Sequence, residues 1–156
     1  MYQVRRAEKK DIPDLLRLLV QVDMVHHRGR PDLFKGPATK YSGEELEALL
    51  EKEESPVFVC TDARGQVLGH GFCILQHAGG QLMQPHDTLY IDDICVEEAA
   101  RGRGVGEAIF RHISAYARDL GCYNITLNVW SCNPGAMRFY EKLGLQPYRV
   151  GMEMLL

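Results

Sequence analysis

The feature that most constrains the fold of this chain is a strand-like run, residues 88–96, that leads through a glycine-rich turn into an amphipathic segment, residues 104–120. Apolar residues recur along one face of that segment at helical spacing, which predicts a helix; they are Val105, Ile109, Ile113, Tyr116 and Leu120. The next apolar run, residues 123–130, predicts another strand. A strand, a helix and a strand in succession indicate two parallel strands joined by a right-handed crossover.

The rest of the chain predicts antiparallel strands and shorter helices around this unit. Further strands are predicted over the remaining apolar runs: residues 2–6, 56–61, 67–76 and 145–154. Further helices are predicted over residues 11–22, 42–50 and 134–143. The capping pair Ser42 and Glu45 marks the start of one of them, whereas Val25–Pro31 and residues 78–87 are predicted to be loops. These elements predict an α+β domain with a mixed sheet.

Composition and charge exclude several classes of protein. The 156 residues are 46% hydrophobic and 25% charged, as expected for one globular domain, residues 1–156. The net charge is −3, and no basic stripe is present, which argues against binding to nucleic acid or to an anionic membrane. No apolar run approaches the roughly 20 residues of a membrane span. The first residues lack the apolar segment of a signal peptide, so a cytoplasmic location is expected.

The cysteines and aromatic residues suggest packing rather than chemistry. The five cysteines are an odd number without a Cys-x-x-Cys pair, which predicts neither a disulfide framework nor a zinc site. Cys60, Cys73 and Cys95 lie in apolar runs, so buried, reduced thiols are expected there. No metal site is expected, because no His, Asp or Glu spacing is typical of one. Tyr123 and Trp130 are expected to pack in the sheet or the core.

The glycine-rich turn, Arg101–Gly106, predicts a site for a phosphate group. The first N–H groups of a helix are unpaired and carry a partial positive charge, and glycines allow an anion to approach the backbone closely. Arg101 and Arg103 add donors that suit phosphate oxygens. The dinucleotide-binding fingerprint would require glycine where Glu107 stands, and the Gly-Lys-Ser/Thr sequence of a P-loop is absent.

Two motifs resemble those of a known family. The turn fits the pattern [QR]-x-x-G-x-[GA] and resembles the acetyl-CoA pyrophosphate loop of the GNAT superfamily of N-acetyltransferases. Residues Asn133–Leu145 resemble the family signature N-x-x-A-x-x-F-Y-x-x-x-G-F, with Leu145 in place of the common Phe. The motifs lie about 30 residues apart in the expected order. The likeness covers residues 2–154, and the chain is therefore identified as a member of this superfamily.

The resemblance implies a fold and an acetyl donor. It implies the GNAT fold, with a central mixed, mostly antiparallel sheet of six to seven strands, about four flanking helices, and a V-shaped splay between residues 88–96 and 123–130. The cosubstrate would be acetyl-CoA, without a metal. Its pantetheine arm would pair with the backbone of Ile94, Cys95 and Val96, and Asn133 would contact that arm or the chain around it. The pyrophosphate would bind at the turn and the helix start: Arg101, Gly102, Arg103, Gly104, Val105, Gly106 and Glu107.

The resemblance also assigns catalytic candidates. Tyr140 matches the family position of the acid that protonates the departing thiolate, whereas a core aromatic would be the alternative. Asp92 and Asp93 are consecutive in a predicted strand, so their side chains are expected on opposite faces. Polyamine and glucosamine-phosphate acetyltransferases carry an acidic residue at the position equivalent to Asp92. Asp92 is therefore favoured as the base, and a structural pairing of this residue with an arginine is the alternative.

The acceptor is the least constrained part of the sequence analysis. In the family, the segment after the first helix forms a wall of the acceptor site, and His26, His27 and Arg30 lie there as candidate substrate-binding residues. They could equally be solvated loop residues. The expected activity is transfer of an acetyl group to a primary amine of a small molecule. The alternatives are acetylation of a protein N terminus or lysine, and an acetyl-CoA sensor without turnover. A homodimer is common in the family.

Overall fold

The structure of the chain, a computed structural model, describes all residues, 1–156. Its strands and helices, in chain order, are β1 (Gln3–Arg6), α1 (Ile12–Gly29), α2 (Gly43–Leu50), β2 (Val57–Thr61), β3 (Val67–Ala78), β4 (His86–Val96), α3 (Val105–Asp119), β5 (Asn124–Leu127) and α4 (Pro134–Lys142). Short 3₁₀ turns lie at Lys9–Asp11 and Glu98–Ala100. No helix combines the length and the apolar character that crossing a bilayer requires.

One sheet contains all the strands in the order β1-β2-β3-β4-β5. The pairs β1–β2, β2–β3 and β3–β4 are antiparallel. The pair β4–β5 is parallel, as the strand–helix–strand unit predicts. The predicted count of six to seven strands is wrong, because the sheet has five. The difference lies at the C terminus, where residues 145–154 were predicted to form a strand but pair with no other strand of the chain.

The sheet carries a hydrophobic core on each face. On one face, α3 packs against β2, β3 and β4, and its Ile109 and Ile113 are fully buried; we call this the α3-side core. On the other face, α1 and α2 cover the sheet with Leu15, Leu18 and Leu46, and we call this the α1-side core. The alternation of side chains along the strands supplies apolar residues to both faces.

Two glycines of β3 allow α3 to lie close to the sheet. A Cβ atom on Gly71 would lie 2.8 Å from Cδ1 of Ile113, and one on Gly69 would lie 3.0 Å from Cδ1 of Ile109. A side chain at either position would push the helix away from the sheet.

The first helix is longer than its apolar stripe predicts. Val25–Pro31 was predicted to be a loop, and this is wrong for most of the segment because α1 continues to Gly29. Its last turn contains His26, His27 and Arg28. When charged, these side chains interact favourably with the negative, C-terminal end of the helix dipole. None of these residues breaks a helix, and the helix ends where Gly29 and Pro31 bracket Arg30.

Candidate active site

A β-bulge places both acidic residues of β4 on one face of the sheet. Phe72 of β3 is paired with Asp93 and the next residue, Cys73, with Ile91, so Asp92 is the extra residue of the bulge. Ile91 belongs to the α3-side core, whereas Cys95, which strict alternation would place with it, belongs to the α1-side core. Bulges commonly redirect side chains beside active sites. The expectation that Asp92 and Asp93 face opposite sides is therefore wrong.

The carboxylates of Asp92 and Asp93, which we call the acidic pair, have different partners. Asp92 accepts a short hydrogen bond from the ammonium of Lys40. Asp93 Oδ2 lies 2.6 Å from Nε2 of His70, whose side chain is fully buried. Partial burial acts to lower the pKa of Lys40, but its hydrogen bond to Asp92 and the two negative charges outweigh this effect and raise it. Lys40 is therefore a cation bound at Asp92, within the electrostatic field of Asp93.

The acidic pair lies in the wall of a cavity of about 370 Å³ on the α1 face of the sheet, which we call the acidic pocket. Its apolar lining comes from α1, from the segment before α2, from β3 and from the chain after β5: Leu19, Val22, Phe34, Tyr41, Phe72 and Trp130. The Phe34 and Trp130 rings meet edge to face with centroids 5.4 Å apart. A pocket of this kind suits a small molecule with an apolar body and a cationic group.

The expectation that Trp130 and Tyr123 pack in the sheet or the core is wrong. Trp130 is 41% exposed and forms part of the pocket wall, and Tyr123 is 79% exposed. The reason is that β5 ends at Leu127, so Trp130 lies beyond the sheet rather than within it.

The sheet opens between β4 and β5 directly beside the acidic pair. The parallel pairing begins at Thr88 with Asn124 and stops at Ile91 with Leu127, although β4 continues to Val96. The β5-facing side of the backbone over residues 92–96 therefore has no strand partner. This opening corresponds to the V-shaped splay that the family resemblance implies, and Ile94, Cys95 and Val96 lie along it.

Tyr140 approaches the acidic pair from the other face of the sheet. Its ring packs near Phe110 of α3, with centroids 6.5 Å apart, and against Phe139 at 5.0 Å. Burial raises the pKa of Tyr140 above its ordinary value, and the negative charge of Asp93 raises it further. Its hydroxyl is therefore protonated at neutral pH, as a proton donor must be. The packing against Phe110 and Phe139 also gives the residue a core role, and this role is compatible with the predicted proton donation.

The glycine-rich turn presents a row of free backbone donors. Gly102 and Gly104 have positive φ angles of 74° and 84°, and a Cβ atom on either would meet no other atom within 4 Å. Gly104 is the N-cap residue of α3, and as a glycine it has no side chain that could accept a hydrogen bond from the first turn. The N–H groups of residues 102–107 have no acceptor in the chain. Six consecutive N–H groups at a helix start suit the oxygens of a pyrophosphate.

Other predicted donor-site residues already have partners within the chain. Arg101 Nε donates to the backbone oxygen of Val96 at 3.2 Å, and Glu107 pairs with Arg111 one helical turn further on. Arg103 is exposed at the turn. The side chain of Asn133 caps α4 by accepting a hydrogen bond from the N–H of Ala136 at 3.2 Å. Gly106 is buried, and a Cβ there would lie 3.1 Å from Cζ of Phe139, so this glycine lets α4 approach α3.

Of the three residues predicted to bind the acceptor, the structure places only one in the lining of the acidic pocket. His26 lines the acidic pocket and packs against Phe34, with ring centroids 5.0 Å apart. His27 lies outside the pocket lining, and its Nδ1 lies 2.7 Å from the backbone oxygen of Phe34. Arg30 also lies outside the lining and is paired with Asp32 and Glu153. The contacts of His26 and His27 with Phe34 hold the wall of the pocket against α1.

Sequence reasoning missed two residues of the site. His70 lies in an apolar strand between two glycines, a setting that is unusual for an imidazole and could have marked it. Nδ1 of this ring has no hydrogen-bond partner. Lys40 carries no local signal, because it lies in an irregular segment 52 residues from Asp92.

The cysteines are free, as expected, and the three in strands are buried. Burial raises the pKa of Cys73 and Cys95 to about 12, so neither is a thiolate at neutral pH. No three His, Cys, Asp or Glu side chains are grouped so as to hold a metal ion.

Comparisons with known proteins agree with these features. Residues 23–145 match the sequence profile described as the Acetyltransferase (GNAT) family. An uncharacterized N-acetyltransferase of Methanocaldococcus jannaschii is 28% identical over 149 residues, which are 96% of this chain and 62% of the relative. A glucosamine 6-phosphate N-acetyltransferase of Trypanosoma brucei brucei is 28% identical over 153 residues, covering 92% of this chain and 97% of the relative.

A solved structure follows the same path over nearly the whole chain. The BH1408 protein of Bacillus halodurans, crystallised as a tetramutant, superposes with a TM-score of 0.94 at 32% identity and covers 99% of both chains. The chain spans less than two thirds of the archaeal relative, at 62%, but nearly all of the trypanosomal one. Because the profile match extends over well more than half of the sequence, the chain belongs to the acetyltransferase (GNAT) family.

Proposed function

We propose that the chain is an N-acetyltransferase that transfers an acetyl group from acetyl-CoA to the primary amine of a small, cationic molecule. The observation that carries this proposal is the acidic pocket, which contains two carboxylates on one face, one of which, Asp92, already binds the ammonium of Lys40. An acceptor amine is also an ammonium at neutral pH. The pocket therefore offers the charge and the apolar surface that such an acceptor needs.

Acetyl-CoA is the acetyl donor used generally in this family, and the donor set of the chain fits it. The free N–H groups of residues 102–107 would bind the pyrophosphate, and the exposed Arg103 adds positive charge. The open backbone of Ile94, Cys95 and Val96 would pair with the amides of the pantetheine arm. An arm on this line leads from the turn towards Asp93 and Tyr140, so the thioester would lie at the splay.

The acceptor would bind by replacing Lys40 at Asp92. The Lys40 side chain is 54% exposed, so solvent screens its half of the ion pair and can hydrate the ammonium when the acceptor displaces it. Asp92 is only 17% exposed and stays in place as the ammonium site. Asp93, held by His70, adds a second negative charge that attracts the same group.

The proposed reaction uses the carboxylate and the tyrosine in different steps. Asp92 takes a proton from the bound ammonium, directly or through water, and releases a neutral amine. The amine nitrogen attacks the carbonyl carbon of the thioester, so that a C–N bond forms and the C–S bond breaks. Tyr140 gives its proton to the departing thiolate, and the proton left on the new amide nitrogen passes to solvent. General acid–base steps of this kind contribute about 10²–10⁴-fold each.

The relatives support a small-molecule acceptor without identifying it. The trypanosomal relative is named for a sugar phosphate that carries one amine. The cavity of about 370 Å³ has the size of a small-molecule site. A protein lysine or N terminus is the alternative acceptor, and it would have to reach the same two carboxylates.

The test begins with binding and continues with turnover. Acetyl-CoA at 100 times its Kd should stabilise the chain by about 2.7 kcal/mol, which a thermal-shift measurement detects. Release of free CoA is then measured with a panel of small amines and diamines and a panel of peptides. Turnover with the small amines is expected; turnover with peptides only would favour the alternative acceptor, and binding without turnover in either panel would contradict the enzymatic proposal.

The two aspartates are separated by their pH–rate profiles. Asp92→Asn should lower kcat/KM by at least 100-fold and abolish the acidic limb of the profile, because it removes the base. Asp93→Asn should retain that limb and lose less activity, because this residue attracts and orients. The reverse pattern would assign the base to Asp93 and leave the reaction class intact.

A further inference from the structure

Lys40 differs from the other lysines of the chain in its position at the acidic pocket. Of the six lysines, it alone lines that pocket. Its ammonium is hydrogen-bonded to Asp92 and lies 5.6 Å from the centroid of the Tyr41 ring. A primary ammonium on an apolar stem is the kind of group that we propose as the acetyl acceptor. The chain therefore places a group of the acceptor class, from its own sequence, at the acceptor position.

The segment that carries Lys40 is anchored on both sides of this residue. The N–H of Ala38 donates a hydrogen bond to Oδ2 of Asp23 at 3.1 Å. The ring of Tyr41 stacks on Phe72 of β3, with centroids 5.9 Å apart. Because both neighbours of Lys40 are fixed to the body of the fold, its side chain stays over the pocket. A group held in this way within one molecule reacts far faster than the same group free in solution.

The carboxylate that binds Lys40 lies where the sheet opens. The pairing of β4 with β5 stops at Ile91, and Asp92 is the next residue of β4. The thioester of the proposed donor site would lie at this opening. The ammonium of Lys40 would then lie beside the carbonyl carbon, with the proposed base already hydrogen-bonded to it.

We infer that Lys40 is a modification site, which the chain acetylates with its own bound acetyl-CoA. Asp92 takes one proton from the ammonium, and the neutral Nζ attacks the carbonyl carbon of the thioester. The N–C bond forms and the C–S bond breaks; Tyr140 gives its proton to the departing thiolate, and the second proton of the nitrogen passes to solvent. The inference rests on the proposed function, because it uses the same donor, base and acid.

The modification changes the acidic pocket. Acetylation removes the positive charge of Lys40, so the modified side chain no longer forms an ion pair with Asp92. The side chain is 54% exposed and can be hydrated outside the pocket. Asp92 is then left without its internal partner. The first acetyl group that a chain transfers would thereby free its ammonium site for an external amine.

Mass spectrometry of the full chain tests the inference lysine by lysine. Acetyl-CoA with a trideuterated acetyl group adds about 45 Da in the test tube, whereas groups acquired during expression add about 42 Da. The sum of both forms on Lys40 should approach full occupancy in the parent chain. It should be at least 10-fold lower in Asp92→Asn, which lacks the base. Lys35, an exposed lysine of the same segment, is the internal control and should be acetylated equally in both chains.

The Asp92→Asn variant separates the enzymatic step from spontaneous acetylation. Burial acts to lower the pKa of Lys40, and the hydrogen bond to Asp92 outweighs this effect and raises it. Without the carboxylate, Lys40 is unpaired and more often neutral, so its spontaneous reaction with acetyl-CoA would become faster. A lower occupancy in this variant can therefore come only from loss of the enzymatic step, and an unchanged thermal midpoint shows that the fold is intact.

Two rate measurements show where the acetyl group comes from. The first-order rate constant for labelling Lys40 should stay constant over roughly 20-fold dilution of the protein, because the step occurs within one chain. A saturating small amine that the chain turns over should slow the labelling at least 10-fold, because it displaces Lys40 from Asp92. A rate that falls with dilution, or labelling that is equal in the parent and Asp92→Asn, would overturn the inference.

The failure of this inference is distinguishable from the failure of the proposed function. Small amines that are acetylated by a chain whose Lys40 stays unmodified would overturn the inference and leave the proposed function intact. The absence of acetyl transfer to Lys40 and to every amine would overturn both.

Discussion

The buried imidazole of His70 and the carboxylate of Asp93 form a hydrogen-bonded pair, with Nε2 and Oδ2 2.6 Å apart. His70 is fully buried, and its Nδ1 has no partner. In the tautomer that carries its hydrogen on Nε2, the ring donates to Oδ2 of Asp93 and leaves Nδ1 as the free acceptor. The imidazole is thereby a fixed donor that orients Asp93 in the wall of the acidic pocket.

Replacing His70 should therefore affect turnover more than donor binding. His70→Ala should lower kcat about 10-fold and destabilise the fold by about 2 kcal/mol, because it leaves a cavity and an unpaired carboxylate. The acetyl-CoA Kd should stay within two-fold, since the free N–H groups of the turn are unaffected. Steady-state kinetics and calorimetry measure the two quantities.

A conservative variant separates positioning from packing. His70→Gln can place an amide donor near Asp93 and should restore part of kcat. His112→Gln, at a half-buried histidine of α3 that packs against Phe58, is the matched control and should leave kcat unchanged. Equal losses in His70→Gln and His70→Ala would show that the ring is needed only for packing.

Tyr140→Phe should lower kcat about 100-fold and leave the acetyl-CoA Kd nearly unchanged. The substitution removes the hydroxyl of the proposed proton donor but keeps the ring that packs against Phe110 and Phe139. The control is Tyr116→Phe, a half-buried tyrosine of α3 that contacts Phe58. Unchanged turnover in Tyr140→Phe would leave this residue with its core role alone.

Lys40→Met should lower the KM of an aliphatic diamine about five-fold at low salt. In the proposed mechanism Lys40 competes with the acceptor for Asp92, and an ion pair with a half-exposed lysine contributes about 1 kcal/mol. The kcat should stay within two-fold, because Lys40 takes no part in the proton transfers. Lys35→Met, at an exposed lysine of the same segment, is the control. A higher KM would mean instead that Lys40 binds the acceptor.

Gly104→Ala should weaken acetyl-CoA binding at least 10-fold and lower the stability by about 1 kcal/mol. The stability loss reflects the φ angle of 84°, which alanine adopts at a cost. Gly65→Ala is the matched control, since Gly65 has a φ of 81° and equal space around it but lies in the β2–β3 turn. It should lose similar stability and bind acetyl-CoA normally, as titration calorimetry would show.

Asp11→Asn should destabilise the fold by about 2 kcal/mol at pH 7 and by progressively less as the pH falls below about 4. Burial acts to raise the pKa of Asp11, but the Arg5 guanidinium at 2.7 Å and the Glu8 N–H outweigh it and lower the pKa. A lowered folded-state pKa contributes stability above the unfolded-state value, and this contribution is lost as pH falls through the folded-state value.

Urea unfolding of both chains between pH 2 and pH 7 checks this dependence. The exposed pair of Asp14 and Arg17 provides the control, and Asp14→Asn should change the stability by less than about 0.5 kcal/mol at every pH. A difference between Asp11→Asn and the parent chain that is constant with pH would contradict the assigned cause.

Local chemistry made part of the site predictable from the sequence. The turn at Gly102 and Gly104 forms as expected because these residues adopt positive φ angles readily. The capping pair forms too, with the N–H of Glu45 3.1 Å from Oγ of Ser42. Each of these features depends on residues within a few positions of one another.

The rest of the site depends on strand register and on contacts between distant segments. Alternation along β4 assigns Asp92 and Asp93 to opposite faces of the sheet. Only the pairing of Phe72 with Asp93 and of Cys73 with Ile91 reveals the bulge at Asp92. The partner of Asp92 comes from a segment 52 residues away, and no nearby residue indicates it.

The amino-acid sequence was sufficient for the family, through its two motifs, and for the glycine-rich turn and most strands and helices, because these elements follow from periodicity, from glycine conformation and from helix-end chemistry. The folded chain was needed to find that both aspartates face one pocket, that His70 and Lys40 hold them, and that the final strand-like segment pairs with nothing in its own chain. These relationships arise from sheet register and packing between residues far apart in the sequence, and no local pattern encodes them.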